Sequence, residues 1–250
     1  MRWEVIDTGC RSAQENMLWD AEMLSVLAAR ERPILHLYEW AGDSATFGHF
    51  VDPADYLDLA AADKRGLQLA RRSTGGGIVF HIWDMAFSVL VPVNCPEFSL
   101  NTLENYAFVN NAVLLAVKEF LGESSEMDLI PSDAFALDKS CERFCMAKPT
   151  KYDVILGKRK IAGAAQRKRK EGFLHQGTIA LVMPDEGYLA DVLLPGSRVL
   201  EAMQAHTFAL LGTNASQLEI VDAKRELRQL LASSLNSMSL QYLSTLQDKG

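Results

Sequence analysis

The sequence predicts an α+β domain, and three observations carry that expectation. Amphipathic stretches at helical spacing alternate with short apolar runs bounded by glycine, proline and turn residues. Of the 250 residues, 48% are hydrophobic and 23% charged, the balance of an ordinary globular domain. Neither an internal repeat nor a low-complexity linker divides the chain.

Trp3 to Asp7 alternates weakly and reads as a first strand. From Gln14, the positions Met17, Leu18, Ala21, Leu24, Leu27 and Ala28 share one face of a helix that Pro33 ends. Ile34 to Trp40 reads as a strand, with Ala41-Gly42-Asp43-Ser44 as a turn. Pro53, Tyr56, Leu57 and Leu59 suggest a short helix closing near Gly66. Between Leu67 and Pro92 two apolar segments flank a glycine-rich bend, as strands joined by a tight loop would. Leu103 to Leu121 carries a broad apolar stripe (Leu103, Ala107, Phe108, Leu114, Leu115, Val117, Leu121) and ends at Gly122, a natural residue for the turn after a helix. Glu123 to Thr150 lacks periodicity and reads as a loop excursion. Tyr152 to Leu156, Gly157-Lys158 and Arg159 to Ala162 form a hairpin pattern, and Phe173 to Val182 another strand. Asp222 to Leu246 is an amphipathic helix with its charges at the N-terminal end.

Lys and Arg number 25 against 32 Asp and Glu, a net charge of −7. That excludes a general nucleic-acid binder, whose affinity comes from surplus cations. No apolar run approaches the roughly 18–20 residues that span a bilayer, and the start, Met-Arg-Trp-Glu-Val-Ile-Asp, has no signal-peptide core. Cys10, Cys95, Cys141 and Cys145 are too few and too irregular for a disulfide framework or a zinc site. The expectation is a monomeric cytoplasmic protein with reduced thiols, no metal ligand set and no membrane contact.

Four segments could carry chemistry. Arg71-Arg72-Ser73-Thr74-Gly75-Gly76-Gly77 combines two guanidinium groups with glycines that allow close backbone approach to a carboxylate or phosphate. It is no P-loop, and it also fits a flexible hairpin with solvated arginines. Lys158 to Lys170 concentrates cations in an acidic chain; Lys160, beside Ile161 and the small residues Ala162 to Ala165, can point into a pocket or belong to a solvated tip. His175 in His-Gln-Gly-Thr is a structural or a functional histidine. Cys145 is a buried small hydrophobe, or a nucleophile where its neighbours favour the thiolate.

Together these pieces resemble the biotin/lipoate protein ligase family, on its lipoate side. Arg71 to His81 is similar to the family's RRxTGGGxVxH loop; Lys158 to Gln166 and Phe173 to Thr178 are similar to its RKxxGxAQ and LHxGT elements, in the same order. Trp3 to Asp7, Asn16-Met17 and Ala45-Thr46-Phe47-Gly48 fit its opening elements, so the resemblance spans roughly residues 1–200. It implies a class II synthetase-like catalytic domain, a central mixed β-sheet flanked by helices with the acyl chain in a tunnel. The implied organisation is one domain over 1–250 with a helical tail from about 200 and no separate accessory domain. The implied activity joins lipoyl or octanoyl to the acceptor lysine of a lipoyl domain, on a 2-oxoacid dehydrogenase or the glycine cleavage H protein. By the same resemblance, Arg71, Arg72, Gly75, Gly76 and Gly77 line the acyl and nucleotide pocket, Lys160 holds acyl carbonyl and phosphate, and Asp153 contacts magnesium or nucleotide. Thr74, His81, Gly163, His175, Gly177 and Thr178 complete the substrate or nucleotide contacts, and replacing Lys160 by alanine is expected to end transfer with the fold intact.

The resemblance leaves two chemistries. A lipoate ligase uses lipoate, ATP and Mg2+ to make an acyl-adenylate; Gly77 and the cations near Lys160 fit it, and it is the leading expectation. A cysteine-dependent octanoyltransferase takes octanoyl from acyl carrier protein without ATP. Cys145-Met-Ala-Lys-Pro-Thr-Lys-Tyr-Asp is similar to the CFxxPSxYE segment of those enzymes, and the absence of room for an accessory domain favours them. A non-catalytic binder of lipoate or lipoyl domains is the third reading, to be preferred if Lys160 is exposed and far from the glycines. The cations up to Lys168 and Lys170 are the expected docking patch for an acidic carrier domain.

Overall fold

A computed structural model describes residues 2–122 and 126–247, so Glu123 to Ser125 of the expected loop lie outside the described residues. The chain begins with β1 (Glu4–Arg11), α1 (Ala13–Ser25), β2 (Ile34–Trp40), β3 (Ser44–Phe47), α2 (Leu59–Lys64), β4 (Gln68–Arg71), β5 (Ile78–His81) and β6 (Asp84–Pro92). It continues with α3 (Thr102–Phe120), β7 (Met127–Leu129), β8 (Val154–Leu156), β9 (Arg159–Arg169), β10 (Gly172–Ala180), α4 (Glu186–Val192), α5 (Val199–His206) and α6 (Gln217–Gln247).

A seven-stranded mixed sheet runs in the order β1-β2-β6-β10-β9-β8-β7, with β1 and β2 parallel and the other pairs antiparallel. A small second sheet has the order β4-β3-β5. One face of the large sheet packs Phe87, Val89, Val91, Phe173 and Ile179 against α3 and against Leu227, Leu231 and Leu235 of α6. The other face meets α1, the small sheet and the segment around Cys145. The expected α+β class, a central mixed sheet flanked by helices, is the class observed.

The glycine-rich bend joins β4 to β5 within the small sheet, and β6 then crosses to the large one, so three strands stand where two apolar segments were visible. Ser12 and Glu15 form a capping box at the start of α1, which fixes its entry. The turn between β8 and β9 has positive φ at Gly157 (54°) and Lys158 (70°), the geometry that lets a two-residue hairpin follow strand twist.

The apolar faces differ in detail from expectation. Leu18 of α1 is 49% exposed, while Asn16 and Asp20 are buried beside Met17 and Leu24. In α3, Leu103 and Leu115 are half exposed, and Asn105 and Asn110 are buried with backbone partners at Ser99 and Tyr152. Hydrogen bonds hold Asn105 and Asn110 in these inward positions, and Asn16 donates to the Arg11 and Glu39 carbonyls, so hydropathy alone mis-set the stripe. Strand β3 and the helices α4 and α5 had no periodic signal long enough to expect them.

Candidate active site

An apolar pocket opens between the two sheets. Met17, Tyr38, Thr46, Arg72, Val79, His81, Cys145, Gly163 to Ala165 and Gln176 to Thr178 line it. Register builds its floor. Thr178 pairs with Gly163, and Gln176 pairs with Ala165, so two small residues of β9 lie beside two polar residues of β10. Cys145 hangs over this floor on a segment tied to β5, its N–H donating to the Ile78 carbonyl at 3.0 Å.

Gly77 explains how that segment comes so near. A Cβ there would lie 2.0 Å from the Arg143 carbonyl oxygen, so a side chain would push the Cys145 segment away. Arg72, 3% exposed, gathers the loop around itself. Its Nη2 donates to the carbonyls of Gly75 (3.0 Å) and Gly77 (2.6 Å) and reaches Cys145 Sγ at 3.9 Å, while Nη1 donates to Thr46 Oγ1 at 2.9 Å. Burial lowers the guanidinium from its ordinary value, and the adjacent Cys145 sulfur opposes that shift.

Lys160 is buried behind Cys145. Its Nζ donates to the Cys145 carbonyl oxygen at 2.7 Å and forms an ion pair of 2.7 Å with Asp153 Oδ2. Burial pushes the Asp153 carboxyl up, and Lys160 opposes it together with the N–H and hydroxyl of Thr150. Gly163 makes room for the pair, since a Cβ there would meet Lys160 Nζ at 2.4 Å and Asp153 Oδ1 at 2.6 Å. Tyr106 of α3 also stands close, its phenol pushed up to about 12 by burial.

Of the expected site residues, Arg72, Cys145, His81, Gly163, Gly177 and Thr178 meet at the pocket. Gly76 flanks it, with a Cβ position 3.7 Å from Cys145 Sγ, and Gly75 supplies only its carbonyl, to Arg72. Other assignments are corrected. Arg71 points away from the pocket, donating to the carbonyls of His49 and Val51 and lying over the Phe47 ring. Thr74 lies outside the lining and donates to Gln176 Oε1 at 2.7 Å. His175 projects from the opposite face of β10, fully buried near Tyr106, where burial pushes its imidazole down to about 3. Asp153 is paired with Lys160 and hydrogen-bonded to Thr150, and among the described residues no group of three or more His, Cys, Asp or Glu could hold a metal. In the cationic hairpin, Arg167 donates to the Ser73 carbonyl and Lys168 to that of Leu100.

Sequence reasoning missed Thr46, Asp84 and a polar network beneath the pocket. Gln176 Nε2 donates to Asp20 Oδ2 at 2.6 Å; Ser88 donates to the same oxygen, and Asp20 Oδ1 lies 2.8 Å from His36 Nδ1. Among the described residues, no helix is long and apolar enough to cross a membrane.

Residues 12–208 match the lipoyl protein ligase A/B catalytic domain. The octanoyltransferase LipM of Exiguobacterium sp. is 30% identical over 187 residues, covering 74% of this chain and 67% of that protein. The protein of the same name from Bacillus subtilis is 29% identical over 205 residues, covering 81% and 73%. Among solved structures, a lipoate-protein ligase A bound with ATP superposes with a TM-score of 0.63 at 21% identity, covering 96% of this chain and 92% of that one. A bi-partite lipoate protein ligase from Thermoplasma acidophilum, analysed with its E2 lipoyl domain, gives 0.62 at 21% identity, covering 96% and 90%. At such identities the structural likeness is one of fold.

Proposed function

The chain belongs to the lipoyl protein ligase A/B catalytic domain family, and from that membership we propose that it transfers octanoyl from an acyl-carrier thioester, through Cys145, to the acceptor lysine of a lipoyl domain. The observation that carries the proposal is the Cys145 sulfur, partly exposed on an apolar pocket with the Arg72 guanidinium 3.9 Å away. The relatives named octanoyltransferase support the same reading, which reverses the order expected from the sequence, where the ligase led.

In the first step the Cys145 thiolate attacks the donor thioester carbonyl. A new C–S bond forms, the carrier C–S bond breaks, and the departing carrier thiolate takes up a proton. In the second step the neutral ε-amine of the acceptor lysine attacks the Cys145 thioester. The amide bond forms, the C–S bond breaks, the amine gives its proton to water, balancing the proton the carrier thiolate took from water, and Cys145 returns as thiolate. Arg72 stabilises the sulfur whenever it is anionic, and the apolar lining holds the alkyl chain out of water. Lys160 fixes the Cys145 backbone and adds a second cation behind it.

The second reading, ATP-dependent ligation, draws on the fold shared with a ligase bound to ATP. Asp153, the carboxylate that reading assigns to magnesium or nucleotide, is paired with Lys160. A binding-only protein is disfavoured by Lys160, which is 2% exposed and hydrogen-bonded to Cys145.

The test is the intact mass of an apo lipoyl domain incubated with the protein under two conditions, octanoyl-acyl carrier protein without ATP, and lipoate with magnesium-ATP. The expected outcome is an octanoyl increase in the first alone, lost together with the acyl-thioester mass of the enzyme in Cys145→Ser. A lipoyl increase confined to the second condition and unaffected by Cys145→Ser overturns the proposal in favour of the ligase.

A further inference from the structure

Arg72 is a buried cation whose hydrogen-bond partners are all neutral groups or the Cys145 sulfur. Such a cation is costly to bury and free to swing unless its surroundings fix it. What fixes it runs away from the sulfur. Thr46 Oγ1 accepts from Arg72 Nη1 and lies 2.8 Å from His81 Nε2. His81 Nδ1 in turn lies 2.7 Å from Asp84 Oδ2, which also accepts from the Thr178 hydroxyl. Trp40 stacks on the imidazole with ring centres 4.3 Å apart.

One proton arrangement uses every donor in this chain. The Thr46 hydroxyl donates to His81 Nε2, and His81 Nδ1–H donates to Asp84. With the proton on Nε2 instead, two donors would converge on Thr46 Oγ1 and its own hydrogen would have no acceptor. The polarity therefore runs from Arg72 through Thr46 and His81 to the carboxylate, with the Thr46 hydroxyl and the imidazole ring each accepting on one side and donating on the other.

We infer that Thr46, His81 and Asp84 form a positioning relay that holds the Arg72 guanidinium against the Cys145 sulfur. The two glycine-loop carbonyls orient Nη2 and Thr46 orients Nη1, so both terminal nitrogens of a rigid planar fork are fixed. Cys145 is anionic before it attacks and again when the lysine amine expels it, and a guanidinium already in place needs no reorganisation at either moment. The sulfur's role in this inference rests on the transferase reading; the relay's geometry does not. The other charged or titratable groups around Cys145 and its pocket are Lys160 of β9, Asp153 before β8, Tyr106 of α3 and Tyr38 of β2, and none of them is a member of the relay.

The test is the rate of iodoacetamide alkylation of Cys145 in the full chain against pH, followed by the mass of the peptide that carries it. Thr46→Val keeps the side-chain shape without the hydroxyl, and Thr46→Ser keeps the hydroxyl. In Thr46→Val the profile is expected to move to higher pH, so that alkylation near neutrality falls about tenfold. Thr46→Ser is expected to retain the wild-type profile. Thr46→Ala, which cannot overpack, is measured alongside in case the valine variant does not fold, and is expected to shift the same way. An unshifted midpoint in the variants without the hydroxyl, or a serine variant shifted as far as they are, overturns the relay. Octanoyl transfer by the wild type is assayed in parallel. A shifted profile without transfer removes the transferase reading and leaves the relay standing; transfer with an unshifted profile does the reverse.

Discussion

The two faces of the seven-stranded sheet are built from the same strands and do opposite work. Along β6, Met85, Phe87, Val89 and Val91 point to α3 and α6, while Asp84, Ala86 and Ser88 point to the pocket side. Along β10, Phe173 and Ile179 join the apolar core, whereas Gln176 and Thr178 line the pocket. Alternation by one residue therefore separates a face held by apolar burial from a face where hydrogen bonds among buried polar groups stand beside an apolar strip, Leu90 and Leu174 against Leu24 and Leu27. The first face tolerates changes of shape within limits, and the second depends on each partner being present.

Lys160 is where this division is sharpest and where the largest effect is expected. Its replacement by alanine should abolish transfer and also destabilise the fold by about 3–5 kcal/mol, because Asp153 is left as an unpaired buried carboxylate. The sequence suggested an intact fold for that variant; the ion pair corrects it. Pairing Lys160→Met with Asp153→Leu should recover most of the denaturation midpoint and none of the activity. Recovery of activity in the double variant would show that neither charge serves the reaction.

Phe173→Ala examines the opposite face. The ring is fully buried in the core and stacks on Phe98, so its loss should cost about 3–5 kcal/mol in urea unfolding. Activity per folded molecule should stay near wild type, because Phe173 does not line the pocket. A large fall in activity at full folding would mean that the two faces are coupled through β10.

Much of the site was legible because it uses residue types with narrow physical purposes. Three consecutive glycines beside two arginines, and a lysine among small residues, offered close approach and buried charge as readings beside a solvated loop, and the resemblance of the motifs chose between them. Thr46, Asp84 and Asp20 were not legible, since their meaning comes from partners on other strands and helices: Thr46 on Arg72 and His81, Asp84 on Thr178, Asp20 on Gln176. His175 and Gln176 illustrate the failure most directly. Both sit in one short motif, and the choice of which faces the pocket depends on a register that strand alternation fixes only when the buried face is known. Counting by twos from Phe173 puts His175 on the core side and Gln176 on the pocket side, which is what the pairing with Ala165 and Ser88 produces.

His175 is also the residue that breaks the simple contrast, a titratable ring on the otherwise apolar face. Its Nε2 has no hydrogen-bond partner, and burial holds the folded imidazole near 3 against about 6.5 in an unfolded chain. Between those values the unfolded chain binds a proton that the folded chain does not, so the stability of the fold falls as pH drops below about 6.5, by about 1.4 kcal/mol per unit. Above that range the ring is neutral in both states and contributes no slope. His175→Leu removes this term while keeping an apolar side chain among α3 and β10. Its stability relative to wild type should therefore rise by about 2 kcal/mol between pH 6.5 and pH 5, read from urea midpoints at each pH. A gap that stays constant over that interval would mean that the ring takes up its proton inside the folded core. The apolar face would then carry a polar network of its own, and the division between the two faces would no longer be one between apolar burial and hydrogen bonding.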